Sequence, residues 1–283
     1  LVGSEMCIRD SSYVSCHLSP EGIRQALHSC PQRVTAVYVT SPDYLGHMLD
    51  IRGIAEICHQ AGALLLVDNA HGAYLRFLPQ SCHPMELGAD ICCDSAHKTL
   101  GVLTGGAYLH ISHAAPEWLA QQAKASMSLF GSSSPSYLIL QSLDAANDRM
   151  ARFRDDLADL LPKAAALKRR LSDRGYMLTG EEPLKVTVCP KSFGYTGTEI
   201  AATLEENGAF PEFYDPDHVV LMLSPWNSDD DLVRLEQTLC SIPQRTPIIL
   251  TPPPVPHPVR VMTPRQALFA VSERLPLEDC CGR

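Results

Sequence analysis

Two short polar clusters in the sequence have residue types that could do chemistry together. One is Asp68-Asn69-Ala70-His71, which follows the apolar run "ALLLV" (63–67). The other is Ser95-Ala96-His97-Lys98, which follows "ADICC" (89–93). A lysine beside apolar walls and other cations gives up its proton more readily, and the free amine can attack a carbonyl. A carboxylate can keep a ring nitrogen protonated, and hydroxyls and histidines can hold a phosphate. A residue as small as Ala70 can lie against a flat ring. Those are the requirements of pyridoxal 5'-phosphate (PLP), an aldehyde cofactor whose protonated ring accepts electrons. Taken singly, each group has a plainer reading. Lys98 would be a solvated surface lysine, Asp68 a turn residue or helix cap, and His71 and His97 structural histidines. Two consecutive strand ends that each deliver a polar cluster favour the joint reading.

The elements that must position these clusters follow from pattern. Ser19-Pro20 opens a helix with a cap and a first-turn proline, and Ile23, Ala26, Leu27 and Cys30 give it one apolar face. "VTAVYVT" (34–40) is rich in β-branched residues and reads as a strand. Residues 50–61 read as a helix stopped by Gly62. "ALLLV" reads as a parallel strand covered on both faces, "ADICC" as a third strand and "GAYLHI" (106–111) as a fourth. Strands alternating with helices predict an α/β fold with a largely parallel sheet, and ligands in such sheets bind beyond the strands' carboxyl ends. A long helix is predicted over about 148–173 despite Pro162. A smaller α/β unit follows, with strands at 184–188 and 218–223, a helix opened by the capping box Thr196–Glu199 and another over 229–239. "TPPPVPHPV" (251–259) reads as a stiff linker.

Composition excludes several classes. The chain has 283 residues, 45% hydrophobic and 19% charged, with a formal net charge of -9. That charge disfavours non-specific binding to nucleic acid or to an anionic membrane. No run approaches the roughly 18 apolar residues of a membrane span. Eleven cysteines, an odd number with no C-x-x-C spacing, predict reduced thiols in a cytoplasmic protein and no metal site.

The stretches "VDNAHGAYLRF" and "GADICCDSAHKTLGVLTGGAYLH" resemble the Orn/Lys/Arg decarboxylase family, major domain, within the fold-type-I PLP enzymes. That family shows D-x-A-H-G, then S-x-H-K-T-L, with PLP on the lysine. "TSPDYLGHMLDI", "FGSSSPSYLILQSLDAA" (130–146) and "MTPRQALFAVSERLPLEDCCGR" are similar to further segments of it. Asn69 stands where D-E-A-H-G would carry Glu. The resemblance implies a PLP-dependent transferase-like fold of type I, with a smaller α/β domain beside the main sheet. It implies that Lys98 binds PLP covalently, that Asp68 pairs with the pyridinium nitrogen and that Ala70 and His71 line the pocket. Ser95 and His97 would help to hold the phosphate. Ser132, Ser133 and Ser134 would lie near the site or that of a partner subunit, since such enzymes form homodimers or larger assemblies. Tyr44 could touch the cofactor or simply pack.

The implied reaction is decarboxylation of arginine, lysine or ornithine, with a proton returned by His71 or Lys98. Glu212 and Asp215 are candidates to recognise the substrate's cationic end, and their plainer reading is as exposed acidic turn residues. Other readings are an aminotransferase, aldolase or lyase on the same fold, or an inactive scaffold. The predicted division is a non-native segment at 1–10, part of the PLP-binding domain at 11–147, a helix and small α/β domain at 148–245, a linker at 246–260 and the start of a C-terminal domain at 261–283. The expected picture is a fragment truncated at both ends, lacking part of the phosphate cradle and binding PLP poorly alone.

Overall fold

In the computed structural model, which describes residues 18–131, 134–249 and 261–280, the apolar runs form two four-stranded sheets. The predicted segment at 1–10 lies outside the described residues, as do Ser132, Ser133 and most of the proline-rich linker.

The first sheet has the order β1 (Ala36–Thr40), β2 (Leu64–Asp68), β3 (Ile91–Asp94), β4 (Tyr108–Ile111). Helix α1 (Pro20–Ser29) begins at Ser19, whose Oγ accepts the Gly22 N–H at 3.1 Å. Helix α2 (Ile51–Gln60) is capped by Asp50 in the same way. Its apolar face, Ile51, Ile54, Ala55, Ile57 and Cys58, buries against Val39, Leu65, Val67 and Cys92. Helix α3 (Pro84–Leu87) leads into β3. Period-2 alternation puts Leu65 and Val67 inward and Asp68 on the opposite, half-exposed face.

β1, β2 and β3 run parallel, as predicted, but β4 pairs antiparallel to β3. The physical reason is the return between them. It holds only the short helix α4 (Ala96–Thr99), and the His97 N–H bonds the Gly106 carbonyl across it at 3.2 Å. A parallel strand needs a crossover, usually a full helix, that carries the chain back along one face of the sheet, and a one-turn helix closed on its own loop does not do that. Lys98 therefore sits in a hairpin-like return pinned at both ends.

Helix α5 (Glu117–Phe130) has no buried residue among those described and too weak an apolar stripe to be read from sequence. Helix α6 (Tyr137–Arg174) begins eleven residues before the predicted start at 148, because its first turns carry exposed apolar residues with no buried face. The second sheet has the order β5 (Met177–Thr179), β6 (Lys185–Cys189), β8 (Val219–Met222), β7 (Phe213–Tyr214) and is antiparallel throughout. β5 and β7 are too short to show a pattern in the sequence. Helices α7 (Gly197–Glu206) and α8 (Asp229–Ser241) both open on complete capping boxes.

One core joins Phe153, Leu157, Leu167 and Leu171 of α6 to Val186, Val188, Ile200 and Val219, and reaches Tyr74, Ala96 and Leu100 beside the candidate site. The described residues up to 249 belong to one compact unit and residues 261–280 to another. In the latter, α9 (Pro264–Phe269) is capped by Thr263.

Candidate active site

Lys98 and His71 meet. Lys98 Nζ lies 2.9 Å from His71 Nε2. His71 is 4% exposed, and its Nδ1 has no partner among the described residues. Burial, and then the nearby charges of Lys185, Lys98 and His97, hold its pKa down at about 3. A neutral His71 accepts a Lys98 proton through Nε2, so Nδ1 carries its own hydrogen. The ring of Tyr44 stands edge-on to His71 at 5.0 Å, and Lys98 Nζ is 6.0 Å from the Tyr44 ring centre.

Asp68 ends β2, in register with Thr40 on one side and Cys93 on the other. Its Oδ2 accepts the Tyr38 hydroxyl at 3.0 Å and its Oδ1 accepts the Ala70 N–H at 3.1 Å. Burial and the Asp68 carboxylate push the Tyr38 hydroxyl up to about 12. Ala70 thus anchors Asp68 through its backbone while presenting only a methyl group. Gly72 closes the motif at close quarters, since a Cβ there would stand 2.0 Å from Asn69 Oδ1 and 2.8 Å from Pro42 Cδ.

Ser95 is the cap residue of α4, and its half-exposed hydroxyl makes no cap bond. His97 donates Nδ1–H to the Gly106 carbonyl at 3.0 Å, which fixes its ring and leaves Nε2 for an anion once protonated. Thr99 Oγ1 is buried without a partner among the described residues, as is Asn69 Oδ1. These residues fit PLP: a lysine amine, a carboxylate at the adjacent strand end, a hydroxyl and an imidazole free to meet a phosphate, and two unpartnered buried polar atoms, His71 Nδ1 and Thr99 Oγ1. Ser134 is exposed.

Several neighbours were missed by sequence reasoning. Asp94 is 4% exposed and accepts Nε2–H from both His83 and His110 at 2.9 Å and an amide N–H from Asn69 at 2.8 Å. Burial alone would raise its pKa, but those donors reverse the effect and drive it well below the carboxylate range. The side chains of His83, Cys92 and Asp94 are close enough to share a cation. However, His83 Nδ1 accepts the Met85 N–H, so Nε2 carries the proton and donates to Asp94. Behind Tyr44 lie two more buried ionisable groups, Lys185 and Glu182, at 3% and 1% exposure. A lysine inside "LKVTV" was the one signal that could have found them.

Glu212 Oε1 accepts the Tyr44 hydroxyl at 3.4 Å, at the edge of this cluster. Asp215 instead turns back on its own loop, accepting the N–H groups of Asp217 and His218 at 2.7 Å.

The same scaffold occurs in solved PLP enzymes. A serine palmitoyltransferase from Sphingomonas wittichii superposes with a TM-score of 0.64 at 19% identity, covering 80% of this chain and 59% of that one. An alanine–glyoxylate aminotransferase from Nostoc sp. gives 0.59 at 19%, covering 79% and 65%. The fold is therefore that of the fold-type-I PLP enzymes. Among curated relatives, an arginine decarboxylase of Bacillus subtilis is 31% identical over 95% of this chain, and one of Halalkalibacterium halodurans is 28% identical over 95%. The chain spans 59% of the length of each. With the family's major-domain model matching residues 7–189, which take in both strand-end clusters, the chain belongs to the Orn/Lys/Arg decarboxylase family.

Proposed function

We infer that this chain carries the reacting lysine of a PLP-dependent enzyme that decarboxylates a basic amino acid: arginine, lysine or ornithine. The observation that supports this most is the 2.9 Å approach of Lys98 Nζ to a buried, neutral His71 at the carboxyl edge of the parallel strands, in a chain of this family. Lys98 would hold the cofactor through Nζ, Asp68 would face its ring nitrogen, Ala70 and His71 would line it, and Ser95 and His97 would meet its phosphate. Bound PLP supplies the electron sink for the bond that breaks as carbon dioxide leaves.

The chain's own residues supply the rest. His71 accepts the hydrogen bond of Lys98 Nζ through Nε2 and so holds that amine in place, while its depressed pKa keeps the proton on the lysine. Lys98 rather than His71 is then the proton donor to the carbon that has lost its carboxylate, because His71 is neutral across the physiological range. Tyr44 covers one side of the pair and excludes water. Glu212, beside the Tyr44 hydroxyl, is the carboxylate placed to meet a guanidinium or ammonium tail; Asp215 is occupied by its own turn. The exposed Trp118, Met127 and Leu129 of α5 and Tyr137 and Leu138 of α6 support assembly as a homodimer or larger oligomer.

The test is release of labelled carbon dioxide from arginine, lysine and ornithine with PLP present, run beside an amino-transfer assay. Release from one of the three, lost in Lys98→Ala, is expected. In Glu212→Gln, KM for that substrate should rise ~10-fold or more with kcat less affected, the value of one charged hydrogen bond. Amino transfer without carbon dioxide would point to an aminotransferase. Equal cellular phenotypes of wild type and Lys98→Ala in the full-length protein would point to a scaffold.

A further inference from the structure

A buried lysine in a strand is costly, because its charge leaves water unless partners replace the lost hydration. Lys185 in β6 is such a residue, and the mechanism above makes no use of it. Its Nζ donates to the carbonyls of Asp43 at 2.8 Å and Tyr44 at 3.3 Å, across from its own sheet. The same Nζ lies 5.7 Å from the centre of the Tyr44 ring, and Lys98 Nζ lies 6.0 Å from it. Two lysines, Lys98 of α4 and Lys185 of β6, therefore lie near one aromatic ring.

The loop that carries Tyr44 is gripped along its length by the β5–β6 segment. The Thr187 hydroxyl donates to the Leu45 carbonyl at 2.8 Å, and the Glu182 N–H to the Gly46 carbonyl at 2.9 Å. His47 Nε2 bonds the Thr179 hydroxyl at 2.8 Å. Gly46, at φ +88°, passes so close that a Cβ would stand 3.3 Å from Lys185 Cδ. Glu182 is held in turn by the Tyr74 hydroxyl and the Lys185 N–H. Burial pushes Glu182 up and Lys185 down to about 8, and their mutual attraction opposes both shifts. Of all these contacts, only those of Lys185 reach the residue that touches His71.

We propose that Lys185 is a positioning residue of the Lys98 site: it clamps the Asp43–Tyr44 backbone so that the Tyr44 ring closes on His71 and orients it toward Lys98. The proposal rests on the reading of Lys98 as the reacting amine. It makes the second sheet part of the site, acting through Tyr44 rather than by touching any reactant.

The test uses the whole chain and two readouts. The first is the rate at which borohydride traps PLP on Lys98, located by peptide mass; irreversible reduction reads weak binding as well as tight. The second is the imidazole resonance of His71 in the cofactor-free chain, assigned with His71→Gln. Lys185→Met keeps length and removes the ammonium. It should slow trapping ~10-fold or more, as expected of a misplaced group, and shift the His71 resonance. Thr187→Val, which cuts a neighbouring loop bond without touching Tyr44, should leave both near wild type. Tyr44→Ala should slow trapping as well, and the double variant with Lys185→Met should be no slower than the slower single one. Should Lys185→Met not fold, Glu182→Gln/Lys185→Met removes both charges together and is judged by the same criteria. Unchanged trapping with an unmoved His71 resonance would overturn the clamp, and so would effects of Lys185→Met and Tyr44→Ala that multiply. A wild-type chain that is never trapped at Lys98, while Lys185→Met shifts His71 and no longer does so in a Tyr44→Ala background, would overturn the Lys98 reading and keep the clamp; a shift that persists without Tyr44 is the direct field of the Lys185 charge and would overturn the clamp.

Discussion

His71 shows how one side chain can be chosen by its surroundings. A histidine on a solvated loop would titrate near neutrality, whereas this one is buried against two lysines and stays neutral. The consequence for stability has a definite sign. Between the ordinary value of 6.5 and the folded value of about 3, the unfolded chain binds a proton that the folded chain does not. Stability contributed by neutral His71 is thus complete above 6.5 and falls as pH drops through that window, by at most about 1.4 kcal/mol per pH unit. Urea unfolding of wild type and His71→Gln at pH 6.5 and 4.5 should show a flatter dependence in the variant, by ~1–2 kcal/mol over the interval. Equal slopes would mean that His71 takes up its proton in the fold as it does in the unfolded chain. The interval lies above the range in which Asp94, whose pKa is also depressed, begins to take up its proton.

At the scale of elements, the site depends on two strand ends keeping their spacing. β2 and β3 are joined through the Asn69 amide and the Asp94 carboxylate, to which His83, His110 and the Cys92 thiol also donate. The staple lies immediately beside Asp68 in one strand and Ser95 in the other. Asp94→Ala leaves the Asn69 and His83 donors buried without an acceptor, and should cost ~1–3 kcal/mol in thermal or urea unfolding. Asn69→Ala/Asp94→Ala should cost less than the sum of the two single changes, because both remove the same bond. Additive losses would show that the two residues act separately. The pairing also accounts for Asn69 where the family motif carries Glu: a carboxylate at 69 would face that of Asp94, whereas an amide donates to it.

Across the whole molecule, the described surface leaves large apolar groups on α5 and on the first turns of α6, with Leu129 at 77% and Tyr137 at 85% exposure. Sedimentation at about 50 µM, where a Kd of even ~1 µM would be visible, should show a dimer or larger species, and Leu129→Asp should weaken it. A monomer at that concentration would remove the oligomer from the reading. Much of this arrangement was legible beforehand. Ser19, Thr196 and Gly62 marked helix ends because caps and stops act over a few residues. Strand runs at 34–40 and 63–67 declared themselves by β-branched and continuous apolar composition, and the two polar clusters, after 63–67 and after 89–93, by residue type. Other features had no local signal. The antiparallel β4, the short β5 and β7, and the convergence of Tyr38, Tyr44, Asp94 and Lys185 on the site depend on pairings between residues far apart in the chain. The sequence by itself determined which groups could react and which strand ends carry them, since both are local properties of spacing and periodicity. Only the tertiary structure decided that His71 is neutral, that Asp94 staples β2 to β3 and that a lysine from the second sheet lies behind Tyr44, because burial and long-range contact are properties of the packed chain.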